Sequence, residues 1–197
     1  MGFFNWAAPL VRLYGNRFDA SDAERIALML RPAVDPGGRI LDVGGGAGQL
    51  AHLLAEELGA RVTVVDPTPE MLAHVSVDER VEAVLGIAED LPFADGSFDA
   101  LVVSDAFHHF RDQDRAVQEF ARVVRHNGLV LVLELDPKVR PMPLVAYAER
   151  LMGEPGAFMT PVEMCRFMAR RGIEGRCEVE ERWSYRFLGC VQKPVAR

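Results

Sequence analysis

Short apolar runs alternate with amphipathic stretches through the middle of the chain. The apolar runs predict strands, and the amphipathic stretches between them predict helices. Because predicted strands and helices alternate along the chain, their order predicts a doubly wound, mostly parallel sheet with helices on both faces. The predicted strands lie near residues 39–43, 61–65, 81–85, 98–103 and 128–134, and the predicted helices near 48–58, 68–76 and 112–125.

Capping residues mark several helix ends. The segment from Ser21 to Glu24 has the spacing of a capping box, which predicts a helix from there to about Leu30. Thr68 and Pro69 predict an N-cap and a first-turn proline, and Gly59 predicts the end of the preceding helix.

The two flanks of this pattern are less regular. Residues 3–14 are mostly apolar and predict a helix that lies on the body of the domain, and prolines bracket another short helix at 144–152. A capping box at Thr160–Glu163 predicts a helix that ends at Gly172. Strands near 176–183 and 185–191, turning at Trp183-Ser184, predict an antiparallel pair.

Composition narrows the function classes. The chain has 197 residues and a net charge of −7, without a run of lysines or arginines, which argues against nucleic acid and anionic membranes as partners. Three unevenly spaced cysteines, Cys165, Cys177 and Cys190, fit reduced thiols better than a disulfide framework. With no signal peptide and no apolar stretch of about 20 residues, we expect a cytoplasmic protein without a membrane span.

A glycine-rich loop between the first strand and the first crossover helix is the main chemical signal. Gly44, Gly46 and Gly48 allow a sharp turn and a close approach of a ligand, and the next helix presents its positive end. Asp66 ends the second strand, where an acid can hold ribose hydroxyls. The strict dinucleotide pattern fails at Gln49, and only its relaxed form, ending at Ala51, is met.

Five segments in order resemble the motifs of class I S-adenosylmethionine-dependent methyltransferases. The loop Asp-Val-Gly-Gly-Gly-Ala-Gly at 42–48 resembles their first motif, and Asp-Pro-Thr-Pro-Glu-Met-Leu at 66–72 their acidic second-strand motif. Residues 86–99, 104–109 and 122–131 are similar to the third motif and to the segments around the fourth and fifth strands. The nearest subgroup is the ubiquinone and menaquinone biosynthesis type. The resemblance implies a Rossmann-like fold with an antiparallel C-terminal strand pair.

The resemblance also implies one domain over residues 1–197. Residues 1–35 would form an N-terminal helical cap, 39–136 the cofactor-binding core, and 137–197 an acceptor lid and the terminal strands.

S-adenosylmethionine is the cofactor that the resemblance implies. Asp42, Gly44, Gly46 and the main-chain carbonyl of Ser104 would receive its methionyl part, while Asp66 would accept both ribose hydroxyls.

The adenine would lie against the second and third motifs. Pro67 and Met71 would cover the ring, and the backbone of Ala88 and the side chain of Glu89 would meet its polar edge. Family members often place an aspartate where this chain has Ile87, which leaves open what binds the adenine amino group.

The acceptor would be enclosed by the opening segment, with Tyr14 approaching the cofactor, and by residues 136–158. Both are apolar, which favours a small, partly apolar molecule. Methyl transfer is an in-line displacement that positioning alone can promote, but a base helps with some acceptors. His108 and His109 follow the fourth strand and are the candidate bases, with a structural role as the alternative. Adjacent side chains diverge, so we expect no metal there.

Two other function classes stay open. A domain that keeps the cofactor pocket but regulates or scaffolds a partner would show an acceptor pocket closed by bulky side chains. A nicotinamide oxidoreductase is disfavoured by the four later motifs and by the lack of a Tyr-x-x-x-Lys pair, since Lys138 and Lys193 follow no such tyrosine. The sequence makes no prediction of oligomeric state.

Overall fold

The computed structural model describes residues 18–139, 153, 155–180 and 184–193. Tyr14, the predicted opening helix, the predicted helix at 144–152 and Trp183 lie outside these ranges. The strands of the described chain are β1 (Arg39–Val43), β2 (Arg61–Asp66), β3 (Val81–Leu85), β4 (Phe98–Ser104), β5 (Val124–Leu135), β6 (Ile173–Val179) and β7 (Ser184–Val191). The helices are α1 (Ala20–Leu30), α2 (Gln49–Leu58), α3 (Pro69–Leu72), α4 (Gln113–Val123) and α5 (Pro161–Ala169), with a 3-10 turn at Phe107–His109.

The strands form one sheet in the order β3-β2-β1-β4-β5-β7-β6. The pairs from β3 through β5 are parallel, whereas β7 is antiparallel to both β5 and β6. β7 is therefore inserted between β5 and β6, although β6 precedes it in the chain. The predicted fold class, a mostly parallel doubly wound sheet with an antiparallel C-terminal pair, is confirmed. The strand order reverses between β1 and β4, which is where ligands bind in open α/β sheets.

Two hydrophobic cores cover the two faces of the sheet. One contains α1 and α2, with Leu30 and Leu54 fully buried. The other contains α4 and α5, with Phe120 and Met164 fully buried. α4 reaches its core because its apolar residues recur with helical spacing and leave the opposite face polar. The central strands are covered on both sides, which explains their nearly continuous apolar runs.

The predicted helix starts need two corrections. α1 is capped by Asp19, whose side chain accepts from the N–H of Asp22 at 2.9 Å, while the Asp22 carboxylate accepts from the N–H of Asp19 at 3.1 Å. The capping box thus lies two residues before the predicted one at Ser21, because aspartate fills both of its roles. Thr68 does occupy the N-cap position of α3, but without a side-chain capping bond, and α3 is shorter than the predicted helix.

The C-terminal elements also begin earlier than predicted. β5 starts at Val124, directly after α4, and a register shift in its pairing with β4 absorbs the extra residues. β6 starts at Ile173, three residues before the predicted strand. The capping box that opens α5 is confirmed, with Thr160 and Glu163 bonding each other reciprocally. Every helix in the described part of the chain is too short or too polar to cross a lipid bilayer.

Candidate functional site

A cavity of about 610 Å³ opens at the carboxyl ends of β1, β2 and β4. It lies at the reversal of strand order. Its lining brings together most of the predicted site residues, namely Gly44, Gly46, Asp66, Pro67, Met71, Ala88, Glu89 and His109. Asp42, Ser104 and His108 lie beside it without lining it.

The glycine loop turns sharply to form one wall of the cavity. Gly44, Gly46 and Gly48 have φ angles of 73°, 54° and 75°, a region that glycine enters without strain. A Cβ on Gly44 would lie 2.5 Å from the Cβ of Ala106, so no side chain fits there. The N–H groups of Gly44 and Gly46 donate to Val65 O at 2.7 Å and to Asp66 Oδ2 at 3.1 Å. Both amides therefore already bond within the protein, and the absence of side chains at these two positions leaves room for Ala106 and Met71.

Asp66 presents a buried carboxylate to the cavity from the end of β2. It is 8% exposed, and its two oxygens accept from the N–H groups of Gly46 and Thr68 at 3.1 and 2.8 Å. Burial raises the pKa of Asp66, while these hydrogen bonds oppose the rise. An ionised carboxylate has about four acceptor positions, so with these two backbone donors and the Thr68 side chain Asp66 can still accept from a further donor.

Asp42 lies beneath the loop rather than in the cavity. It is 1% exposed, and its Oδ2 has no hydrogen-bond partner among the described residues. Burial and the neighbouring charge of Asp66 raise the pKa of Asp42 to about 7. A Cβ on Gly45 would lie 2.5 Å from this oxygen, which makes glycine necessary at that position too. Asp42 is thus an acid close to half ionised at neutral pH.

The far end of the cavity is more apolar. Met71 crosses below the loop, with its Cε 3.1 Å from the Cβ position of Gly46, and Ile87 is 48% exposed. Glu89 accepts through one oxygen from the N–H groups of Arg111 and Asp112, at 2.8 and 3.1 Å. The side chain of Glu89 therefore fastens the approach to α4 to the cavity wall.

Sequence reasoning missed several residues of the wall. Asp105, directly after β4, has a φ of 47°, a conformation that aspartate tolerates better than most residues, and it lines the cavity where Ser104 was expected. Arg111, Asp112 and Arg115 also line the wall. The position of Asp105, an acid directly after a strand, could have suggested it. No sequence motif marks Arg111, Asp112 or Arg115, which lie just before α4 or in its first turn.

The two histidines differ in position and chemistry. His109 lines the cavity, and burial together with the neighbouring His108 lowers the pKa of His109 to about 3. His109 is therefore a neutral imidazole at neutral pH. His108 is 3% exposed, and its Nδ1 lies 2.9 Å from both carboxylate oxygens of Glu134 on β5. A carboxylate in this position favours the tautomer with a proton on Nδ1.

The segment before α5 covers the His108 ring. Phe158 stacks on that ring at 4.0 Å between centroids, and the His109 ring lies 4.0 Å away. The N–H of Ala157 donates to His108 O at 3.0 Å, and the Gln113 side chain donates to Ala157 O at 2.8 Å. These contacts fix the part of the predicted acceptor lid that the structure describes. Within the same ranges, no cluster of three potential metal ligands forms.

A family model described as a methyltransferase domain matches residues 41–132. An uncharacterized methyltransferase of Mycobacterium tuberculosis strain H37Rv is 45% identical over 92 residues, which are 46% of this chain and 37% of the relative. The ubiquinone/menaquinone biosynthesis C-methyltransferase UbiE of Legionella pneumophila strain Paris is 35% identical over 118 residues, covering 55% of this chain and 47% of UbiE. The chain thus spans less than half the length of these curated relatives.

Solved structures show the same fold over nearly the whole chain. A geranyl diphosphate methyltransferase in complex with SAM aligns with a TM-score of 0.74 and 16% identity, covering 90% of this chain and 86% of that one. The (4+2)-cyclase SpnF aligns with a TM-score of 0.77 and 17% identity, covering 97% and 94%. Because one neighbour is named a cyclase, the shared fold does not by itself identify a reaction.

Proposed function

We propose that this protein binds S-adenosylmethionine and transfers its methyl group to a small, partly apolar acceptor, since a family model described as a methyltransferase domain matches residues 41–132. The observation that carries the proposal is the cavity at the reversal of strand order, with the Asp66 carboxylate on one wall and glycines on the other. Transfer would proceed by in-line displacement.

The cavity wall has the chemistry that the adenosine part requires. The Asp66 carboxylate, which lines the cavity and is held by two backbone N–H groups, suits the ribose hydroxyls. Pro67, Met71 and Ile87 offer apolar surface to an adenine ring. With Ile87 in place of an acid, the backbone around Ala88 is the best remaining partner for the polar edge of the ring.

The methionyl part would lie over the glycine loop, above Asp42. An ammonium group there would favour the ionised form of Asp42, whose Oδ2 has no hydrogen-bond partner in the described ranges of the chain. Gly44 and Gly46 line the cavity and would lie against the chain of the ligand, and the carbonyl of Ser104 would accept from the same ammonium group.

S-adenosylmethionine supplies a methyl group that is electrophilic because it is attached to a sulfonium. The contribution of the protein is to hold the acceptor in line at about 3–3.5 Å. Neither histidine is well suited to act as a base. His109 lines the cavity, but its low pKa makes it a weak base. His108 has the supporting carboxylate of Glu134, but it lies under Phe158 and outside the lining. We therefore propose that positioning dominates over base catalysis.

The acceptor class is supported by the surfaces that surround the site. Ile87 and Phe110 line the cavity, and Phe158 covers the adjacent ring. The net charge of −7 disfavours a polyanionic substrate. A small neutral molecule with an apolar part fits these surfaces best.

The test has a binding step and a transfer step. Titration calorimetry should show binding of S-adenosylmethionine and of its demethylated product but not of NAD. Incubation of cell extract with the protein and S-adenosylmethionine labelled in its methyl group should then move the label into a low-molecular-weight product. A preference for NAD would contradict the cofactor assignment. Cofactor binding without transfer to any extract component would instead support the regulatory or scaffold alternative.

A further inference from the structure

Cys165 and Cys177 come together at the far side of the sheet from the cavity. Their Sγ atoms are 2.8 Å apart, although Cys165 lies on α5 and Cys177 on the edge strand β6. Both are half-buried, which leaves the pair accessible to a small reagent. The third cysteine, Cys190 on β7, lies near Asn127 and Gln192.

The surrounding packing already holds the two cysteines in place. α5 packs against β6 through buried Met164 and Met168, and Ile173, on the same face of β6 as Cys177, is fully buried. A disulfide requires about 2.05 Å between the sulfur atoms, so the thiols need to approach by less than about 1 Å.

We propose that Cys165 and Cys177 form a reversible dithiol–disulfide site whose oxidant is a low-molecular-weight disulfide. In the reaction two S–H bonds break and one S–S bond forms, and the two protons pass to the thiols that leave. The two electrons reduce the S–S bond of the oxidant, which leaves as two thiols. The proposal is independent of the function proposed above, because neither cysteine lines the cavity.

The bond would fasten α5 to the edge of the sheet. α5 begins directly after the segment in which Phe158 stacks on His108 and Met159 O accepts from the Tyr185 hydroxyl at 2.9 Å. A cross-link at Cys165 would therefore anchor the helix that follows the described part of the lid. Burial and the neighbouring Cys165 raise the pKa of the Cys177 thiol, so exchange at neutral pH needs incubation over hours.

The full chain should be equilibrated with mixtures of oxidised and reduced glutathione, quenched with acid and alkylated. We expect the oxidised chain to lose two hydrogen atoms in mass and to take up alkylating reagent at Cys190 alone. Peptide mapping should recover a Cys165–Cys177 cross-link, and dithiothreitol should restore alkylation of all three cysteines. The melting temperature of the oxidised form should be higher by roughly 5–10 °C, because the cross-link restrains the unfolded chain.

Two variants serve as matched controls. Cys190→Ser should keep both the cross-link and the thermal shift, whereas Cys177→Ser should lose both. If Cys177→Ser fails to fold, the reversible cross-link mapped in the wild-type chain still decides the question. Glutathione adducts on Cys165 or Cys177 at equilibrium, cross-links through Cys190, or free thiols at saturating oxidised glutathione would each overturn the proposal.

Discussion

At the cavity end of the sheet, Asp42 and Asp66 are buried next to each other, and burial raises the pKa of both. At the opposite end, Glu178 on β6 and Glu180 just beyond it both pair with Arg186 on β7, and these pairs lower the pKa of Glu178. Among the described residues, neither Asp42 nor Asp66 forms an ion pair. The acids that pair with Arg186 are neutralised within the protein, where they lie next to the antiparallel strands. Acids that are left unbalanced around a cavity make the fold less stable but can bind a ligand.

The largest effect should come from removing Asp66, which would separate binding from folding. Asp66→Ala removes two charge-assisted hydrogen bonds to the ribose, worth about 1.5–3 kcal/mol each before water compensates. We expect cofactor affinity to fall by roughly 100-fold or more in titration calorimetry, with unfolding by urea nearly unchanged. Glu178→Ala is the matched control and should leave the affinity unaltered. An unchanged dissociation constant in a folded Asp66→Ala protein would remove Asp66 from the ribose site.

The buried carboxyl group of Asp42 should make the free energy of unfolding depend on pH. The pKa of Asp42 is about 7 in the folded protein and 3.8 as its ordinary value, so between these limits the folded state holds a proton that the unfolded state has released. The free energy of unfolding should therefore fall as the pH rises, by about 3 kcal/mol from pH 5 to pH 8, and level off above pH 7. Asp42→Asn should largely remove this slope in urea titrations of the cofactor-free protein. An equally steep slope in the variant would place the proton elsewhere.

The two histidines test whether the cavity end also supplies a base. We expect His108→Ala and His109→Ala each to lower turnover by less than about tenfold, because positioning suffices for methyl transfer. Once an acceptor is known, kcat and KM should be measured across pH for both variants. A loss of 100-fold or more, together with the acidic limb of the pH–rate profile, would identify a general base. A loss of cofactor affinity would instead assign the residue to the pocket wall.

The smallest effect should come from the balanced acids. Glu178→Gln removes one charge from a group of exposed or partly exposed side chains, whose ion pairs are weakened by the surrounding water. The midpoint of urea unfolding should hardly change, and any difference should shrink as salt screens the pairs. If Glu178→Gln changed the free energy of unfolding as much as Asp42→Asn, the acids at the two ends of the sheet would affect stability equally, which would contradict the comparison.

The parallel part of the sheet could be predicted because each strand is marked by a short apolar run in the sequence itself. β1 and β3 coincide with the predicted strands, and β2 adds only Asp66, since short apolar runs of this length leave few alternatives to a strand. The start of β5 was not predictable, because α4 runs into it without an intervening turn. The cap of α1 was misplaced because Asp19 and Ser21 are both good capping residues.

In the site, the motifs named several residues that line the cavity but also Asp42 and Ser104, which lie beside it, and partners distant in sequence were missed. Asp66, Met71 and Glu89 were placed at the cavity from their motifs. Glu134 lies 26 positions from His108, and nothing in the spacing suggested that its carboxylate would hold that ring. The contact between Cys165 and Cys177 likewise depends on how α5 folds back on the sheet. Whether the cavity residues bind as proposed stays a prediction.

The place of β7 between β5 and β6 also imposes an order on the folding of the chain during its synthesis. A chain that emerges from the ribosome amino end first has made β1 to β5 before any of the antiparallel strands. β6 follows, but its hydrogen-bonding neighbour in the sheet is β7, which is made later. The nascent β6 therefore lacks its native hydrogen-bonding partner until β7 is made. The strand pairing that holds Cys177 near Cys165 forms only when β7 inserts. The walls of the cavity can form early, while the far end of the sheet has to assemble in a single late step.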